Sequence, residues 1–211
     1  MALPTYPLSI PSSPSNFRTS DWRIVRSVAV NVSPFTMAQQ SGDFGGSVWQ
    51  TTVTLPPMKR DDAEQRNSFF LKLYGQFGTF LLGDPNASVP RGTASSSAGT
   101  PVVNGASQTG DTLNIDGVPV NQTGYLKAGD YISLGTGTST RLYKVLDDAN
   151  SNGSGEVTVE IFPDLRTSPA DDATLTVASA KGTWRLTSNQ TDWSIDTISL
   201  YGLTFACEEA L

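Results

Sequence analysis

The chain has 211 residues, of which only 16% are Asp, Glu, Lys or Arg, and its formal net charge is −6. That balance excludes a nucleic-acid-binding footprint, which needs clustered Lys and Arg; the only adjacent basic pair, Lys59-Arg60, runs straight into Asp61-Asp62. The lack of histidine excludes Ser-His-Asp and Cys-His devices and His-based zinc sites, and a single cysteine, Cys207, excludes an internal disulfide.

The opening MALPTYPLSIPSSPS has neither a charged n-region nor an apolar h-region, so it does not read as a signal peptide. No run approaches a membrane span, and the expectation is a soluble protein made in a cytoplasm. The five Asn-x-Ser/Thr sequons therefore carry no weight. Residues 1–19 hold four prolines and are expected to form an extended arm, tied down by a neighbour in an assembly. Trp22, Ile24, Val28, Val30 and Val32 alternate along a half-buried strand that Ser33-Pro34-Phe35-Thr36 breaks. A polar connection through Gly42, Gly45 and Gly46 then leads to a strand carrying Val48 and Trp49 and stopped by Pro56-Pro57. Asp61 or Asp62 is positioned to cap a helix in which Phe69, Phe70, Leu73, Tyr74 and Phe77 form one apolar stripe, and Gly75 or Gly78 ends it. Thr79–Leu82 resumes an extended path until Gly83-Asp84-Pro85 turns it. A helix with one apolar side needs a sheet beneath it.

Pro85 to Thr100 reads as a Gly/Ser/Ala/Pro-rich linker. Short strands follow at Thr112–Ile115, Tyr131–Leu134, Arg141–Leu146, Val157–Phe162 and Thr174–Val177, spaced as in a small barrel or sandwich. Trp184 and Leu186 share one face of a further strand, and Ser194–Phe205 reads as a longer one. The expected fold is mainly β: a β-sandwich with one packed α-helix, plus an inserted small β-barrel or sandwich. After an arm at 1–19, the outer domain is built from 20–84 with 180–211, and the insert spans 85–179. Insertion at an exposed turn is cheap because loop-closure entropy grows slowly with length.

Chemistry is hard to place. Cys207 ends an apolar strand beside Glu208 and Glu209, whose charge opposes a thiolate, so a structural thiol is expected. Asp148, Asn150, Asn152 and Gly153 match the opening of a calcium loop, but Val159 stands where the closing glutamate belongs. A solvated hairpin tip over Asp147–Gly155 is the simpler reading. Gly135-Thr136-Gly137 lacks the third glycine of a dinucleotide fingerprint. Trp22, Trp49 and Trp184 fall in register with core positions, whereas Trp193, between Asp192 and Ser194, is the best exposed aromatic. No cofactor, metal or catalytic residue is nominated, and the expectation is that the chain is not an enzyme.

The succession Ser33-Pro34-Phe35-Thr36, Gln40, Trp49, Thr54-Leu55-Pro56-Pro57-Met58, Gly78-Thr79-Phe80-Leu81-Leu82-Gly83-Asp84-Pro85 and Pro90-Arg91-Gly92 resembles tailed-phage minor tail proteins. The likeness is to the distal tail proteins of phages with long, non-contractile tails. Leu126–Ile132, Arg141–Val145 and Trp193–Ala210 extend it over most of residues 20–211. The resemblance implies a belt β-sandwich with a packed helix and a second β domain projecting outward. It further implies a homohexameric ring in the virion tail, joining the tail tube protein to the hub, tip and fibre proteins, with DNA only passing through the lumen and no membrane contact. It carries no catalytic residues. The acidic charge excess suits a lumen through which DNA slides without sticking.

Two other readings compete. In one, the chain is a carbohydrate-binding tail module that offers Tyr125, Tyr131 or Trp193 to host-surface glycan. In the other it is a tail-terminator or capsid accessory protein.

Overall fold

The computed structural model describes residues 3–11, 17–96 and 99–211. Fourteen-residue β2 (Thr19–Val32) and sixteen-residue β3 (Gln39–Thr54) form a long hairpin, preceded by the two-residue β1 (Leu8–Ser9). The helix α1 (Arg60–Leu71) and β4 (Thr79–Leu82) follow. Next come β5 (Val102–Val103), β6 (Thr112–Asp116), β7 (Tyr131–Leu134), β8 (Arg141–Val145), β9 (Val157–Phe162) and β10 (Leu175–Thr176). The chain closes with β11 (Gly182–Leu186), β12 (Trp193–Ile195) and β13 (Tyr201–Glu209). The fold is mainly β, with one α-helix among the described residues, as the strand and helix patterns of the sequence lead one to expect.

Two sheets divide these strands. The first runs β1-β4-β11-β13-β3-β2, with β12 attached to β13, and so joins the first eighty-odd residues to the last thirty. The second runs β10-β7-β8-β9-β6-β5. It curls until its edges meet: Val102 bridges Thr174, Leu175 N–H donates to Pro101 C=O at 3.0 Å, and Val103 N–H donates to Ala173 C=O at 3.0 Å. Alternation along the strands fills this near-barrel, with Leu113, Ile115, Val157, Val159 and Ile161 all buried.

One face of the first sheet is covered twice. Over the row holding Val53 and Phe205 lies α1, whose Phe70 ring centroid is 4.7 Å from that of Phe205, while Phe69 stands edge-on to Phe80. Further along the same face, the row holding Trp49 and Glu209 meets the second sheet. There Trp49 Nε1 donates to Leu142 C=O at 3.1 Å and Thr183 N–H to Thr140 C=O at 3.0 Å. The opposite face alternates to polar side chains, with Arg23 opposite Gln50 and Arg185 opposite Glu208.

Several expectations need correction. Neither Asp61 nor Asp62 caps α1: the helix starts at Arg60, so Lys59 is the N-cap, in extended conformation and without a side-chain bond, two residues before Asp61 and three before Asp62. Both acids lie in its first turn, where they still face the positive end of the dipole. The helix stops at Leu71, and positive φ at Tyr74 (51°) and Gly75 (68°) reverses the chain. Helical periodicity therefore lapses: Phe69, Phe70 and Leu73 are buried, but Tyr74 is 50% exposed and Phe77 65% exposed.

The expected connection through Gly42, Gly45 and Gly46 lies within β3: Gln39–Asp43 pair with β2, and Gly45 and Gly46 fall in a bulge of that strand. The outer half of β2 is not half-buried, since Val28, Val30 and Val32 are exposed. Ser194–Phe205 is a hairpin rather than one strand, because the Asp196 carboxylate accepts from Ile198 N–H (3.0 Å) and Leu200 N–H (2.8 Å) and folds the chain back. The arm's described residues 3–11 dock on their own chain: β1 pairs in parallel with β4, and Tyr6 Oη donates to Lys72 C=O at 2.8 Å. The rest of the arm before residue 17, and Ser97-Ala98 of the expected linker, lie outside the described residues. Around Arg91 the linker is anchored instead of free, with Thr93 and Ala94 N–H donating to Gly124 and Tyr125 carbonyls at 2.9 Å.

Candidate assembly surface

The aromatic residues singled out in the sequence separate sharply. Tyr125 is 2% exposed in the core of the second sheet, and Tyr131 is 6% exposed between the two sheets, so neither offers a ring to a glycan. Tyr131 instead joins Trp22, Trp49 and Trp184 in a junction cluster, with ring centroids 6.4 Å from Trp22 and 6.0 Å from Trp49. Lys144 Nζ lies 4.9 Å from the Tyr131 ring centroid. Trp193 alone remains open, at 47% exposure.

The oxygens that a calcium loop would use are engaged by the backbone. Asp148 accepts from Ala128 N–H (2.9 Å), Asn150 from Gly124 N–H (2.7 Å), and Asn152 from Ser154 and Glu156 N–H (2.9 and 3.0 Å). The loop is exposed at Asp147, Asp148, Asn150 and residues 152–154, as a solvated tip would be, but Ala149 and Ser151 are buried and Ala149 bridges Leu126. Among the described residues no group of three or more acidic or cysteine side chains is placed to share a metal ion. Burial, and secondarily Glu208, pushes the Cys207 thiol well above its ordinary pKa. The described residues also contain no helix long and apolar enough to cross a membrane.

The surface that stands out is the outer half of the β2–β3 hairpin. From Val25 outward it leaves the sheet as a two-stranded ribbon, about 24 Å long at about 3.3 Å per residue. Trp22, Ile24 and Arg26 share its core face, and Arg26 sits over the Phe162 ring of β9, 5.4 Å from the centroid. Past Arg26 the register shifts; Phe44, Gly45 and Gly46 loop out, and Gly45 takes φ +72°. Arg26 bonds Asp43, which stands opposite Val28. That contact places Val28, Val30 and Val32 on the same face as Trp22 and Ile24. The core stripe thus runs on beyond the last group that covers it. Phe35 (95% exposed), Met37 and Phe44 add exposed apolar area at the tip and the bulge.

Nothing about 39–47 announces a strand, being rich in Gly, Gln and Ser. The available signal is the length of the β2 alternation, which is too long for one sheet layer and needs a partner of equal length. Elsewhere on the surface, the β12–β13 hairpin exposes Trp193, Ile195 and Ile198, and the helix exit exposes Leu71, Tyr74 and Phe77. Apolar surface of this extent marks an interaction site more often than a solvated one.

The two sheets are joined by the aromatic junction cluster around Tyr131, into which Leu142 also packs, and by polar contacts at the ribbon's base. Arg166 reaches the buried Glu209 carboxylate, whose Oε2 also accepts from Trp49 N–H at 3.4 Å, and Arg141 Nη1 donates to Ala210 C=O at 2.8 Å. The ribbon projects from beside these contacts. Compared with protein-family models and with curated proteins, the chain has no match.

Proposed function

We propose that this chain is a structural subunit of a phage virion, a distal tail protein that assembles with copies of itself into a hexameric ring between tail tube and tail tip. The observation that carries the reading is the β2–β3 ribbon, whose core-face valines and tip Phe35 stand uncovered in the single chain. A closed ring of identical subunits covers such a surface in every copy at once. The open polar face of the first sheet suits the wall of a channel through which DNA passes, and the second sheet, standing on the other face, suits contact with hub and fibre proteins. The motif succession from Ser33 to Gly92 points the same way.

The test is the mass of the purified chain in solution, by light scattering or native mass spectrometry, followed by imaging of tail tips labelled on this subunit. A six-fold mass and a label at the distal end of the tube support the reading. A monomer at all concentrations, or a label at the capsid end, removes it.

A further inference from the structure

We infer that the ribbon of one copy docks head to tail on the β12–β13 hairpin of the next copy, with Phe35 and the valine stripe covering Trp193, Ile195 and Ile198. The inference rests on the ring reading and names the contact within it. Its basis is where the strand registers put the two surfaces. The ribbon leaves the sheet beyond the row that pairs Glu209 with Trp184. At the other end, beyond the row pairing Thr54 with Thr204, β13 continues through Leu203 and Tyr201, which pair with Trp193 and Ile195. The two exposed apolar hairpins therefore stand at opposite ends of one sheet.

A surface that joins to a different surface at the far end of an identical molecule makes a heterologous contact, which closes into a ring when the rotation from copy to copy returns to its start. The backbone supplies a second reason. Among the described strands β2 is hydrogen-bonded to β3 alone and β12 to β13 alone, so each presents an unpaired edge. Joining them adds strand to strand, satisfying N–H and C=O groups while the apolar side chains meet. The helix-exit group of Leu71, Tyr74 and Phe77 has no such edge, since Tyr74 and Gly75 turn the chain at positive φ.

The experiment uses the full chain and two variants, Phe35→Asp on the ribbon and Ile195→Asp on the receiving hairpin, each checked for a native circular dichroism spectrum. Both positions are exposed, so both variants retain the fold. Each variant alone runs as a monomer where the unmodified chain forms its ring. Mixed one to one, they give a heterodimer and nothing larger, because one intact ribbon meets one intact receiving hairpin. Rings from Ile195→Asp alone overturn the inference but leave the ring reading standing. A monomeric unmodified chain that sediments with vesicles of phosphatidylglycerol and phosphatidylcholine, and loses them on Phe35→Asp, overturns both in favour of a lipid surface.

Discussion

Arg166, in the segment between β9 and β10, grips Glu209 on the last strand through two bonds, Nε to Oε1 at 3.3 Å and Nη2 to Oε2 at 2.6 Å. The Glu209 side chain is almost wholly shielded from water, and the same Arg166 receives further support from Ser47 Oγ and from Tyr143 Oη on its backbone N–H. This one pair ties the segment that follows β9 to the last strand. Removing one partner of a buried pair leaves an uncompensated charge, whereas replacing both with apolar groups does not. Glu209→Ala is expected to cost about 3 kcal/mol, and Arg166→Met with Glu209→Leu to recover most of that loss. Urea unfolding checks it; a midpoint for Glu209→Ala equal to that of the unmodified chain would show that the pair does not join the sheets.

The helix and the segment after it offer a contrast between two positions of the expected stripe. Phe70 is buried against Phe205, so Phe70→Ala is expected to cost about 3–5 kcal/mol. Phe77, largely exposed, keeps only an edge-on contact to Tyr6 at 6.1 Å, so Phe77→Ala is expected to cost about 1 kcal/mol or less. Equal losses for the two would mean that the helix continues past Leu71.

These outcomes show where sequence reasoning reaches and where it stops. Local periodicity finds α1, most of the strands in the second sheet, and the core roles of Trp49 and Trp184, because each is decided by neighbours a few residues away. Tyr131 is open to an exposed reading because its burial depends on one sheet docking on another, and its partners Trp22 and Trp49 lie far away in sequence. Residues 39–47 become a strand only through the register imposed by β2, and composition opposes it. The hairpin at Asp196 hinges on one carboxylate accepting two backbone N–H groups, a signal hidden inside a β-branched run. The ribbon escapes for both reasons at once: half of it looks like core, and half like loop.

Asp130 is buried and accepts from Arg91 N–H at 2.7 Å, Lys127 N–H at 2.9 Å and Gly92 N–H at 3.4 Å. It ties the approach from β4 onto the second sheet. Asp130→Ala strands these donors and is expected to cost about 2–3 kcal/mol, with faster proteolysis near Arg91 than elsewhere. Cleavage kinetics unchanged at that site would mean that the carboxylate does not anchor the segment.

Cys207 gives a pH dependence of defined sign. Its folded thiol titrates above the unfolded value of about 8.5. Between those two values the native chain holds a proton that the unfolded chain has lost. Stability from this group is therefore complete below about 8.5 and falls as pH rises above it. Cys207→Ala is expected to flatten the decline between about pH 8 and 10 when the unfolding free energies of the two chains are compared, whatever its own packing cost. A native thiol that reacts with a disulfide reagent near pH 8 as fast as the unfolded one would contradict the burial that underlies the argument.

At the base of the ribbon the sign is reversed. The Arg26 guanidinium bonds the Asp43 carboxylate, and Gly45 N–H adds a bond at 2.9 Å, so Asp43 titrates below the usual carboxylate value. What this pair contributes is present above the unfolded carboxylate value of about 3.9 and is lost as pH falls through the lower folded value. Both side chains are open to water, so salt weakens the pair as well. The ribbon is therefore expected to fray in acid before the rest of the sheet: hydrogen exchange at residues 28–43 rises as pH falls below about 4, after correction for intrinsic rates, while β11 and β13 stay protected. Arg26→Gln should move the onset of that fraying to higher pH. An onset unmoved by Arg26→Gln would show that the valine stripe and the strand pairing hold the ribbon without help from its ion pair.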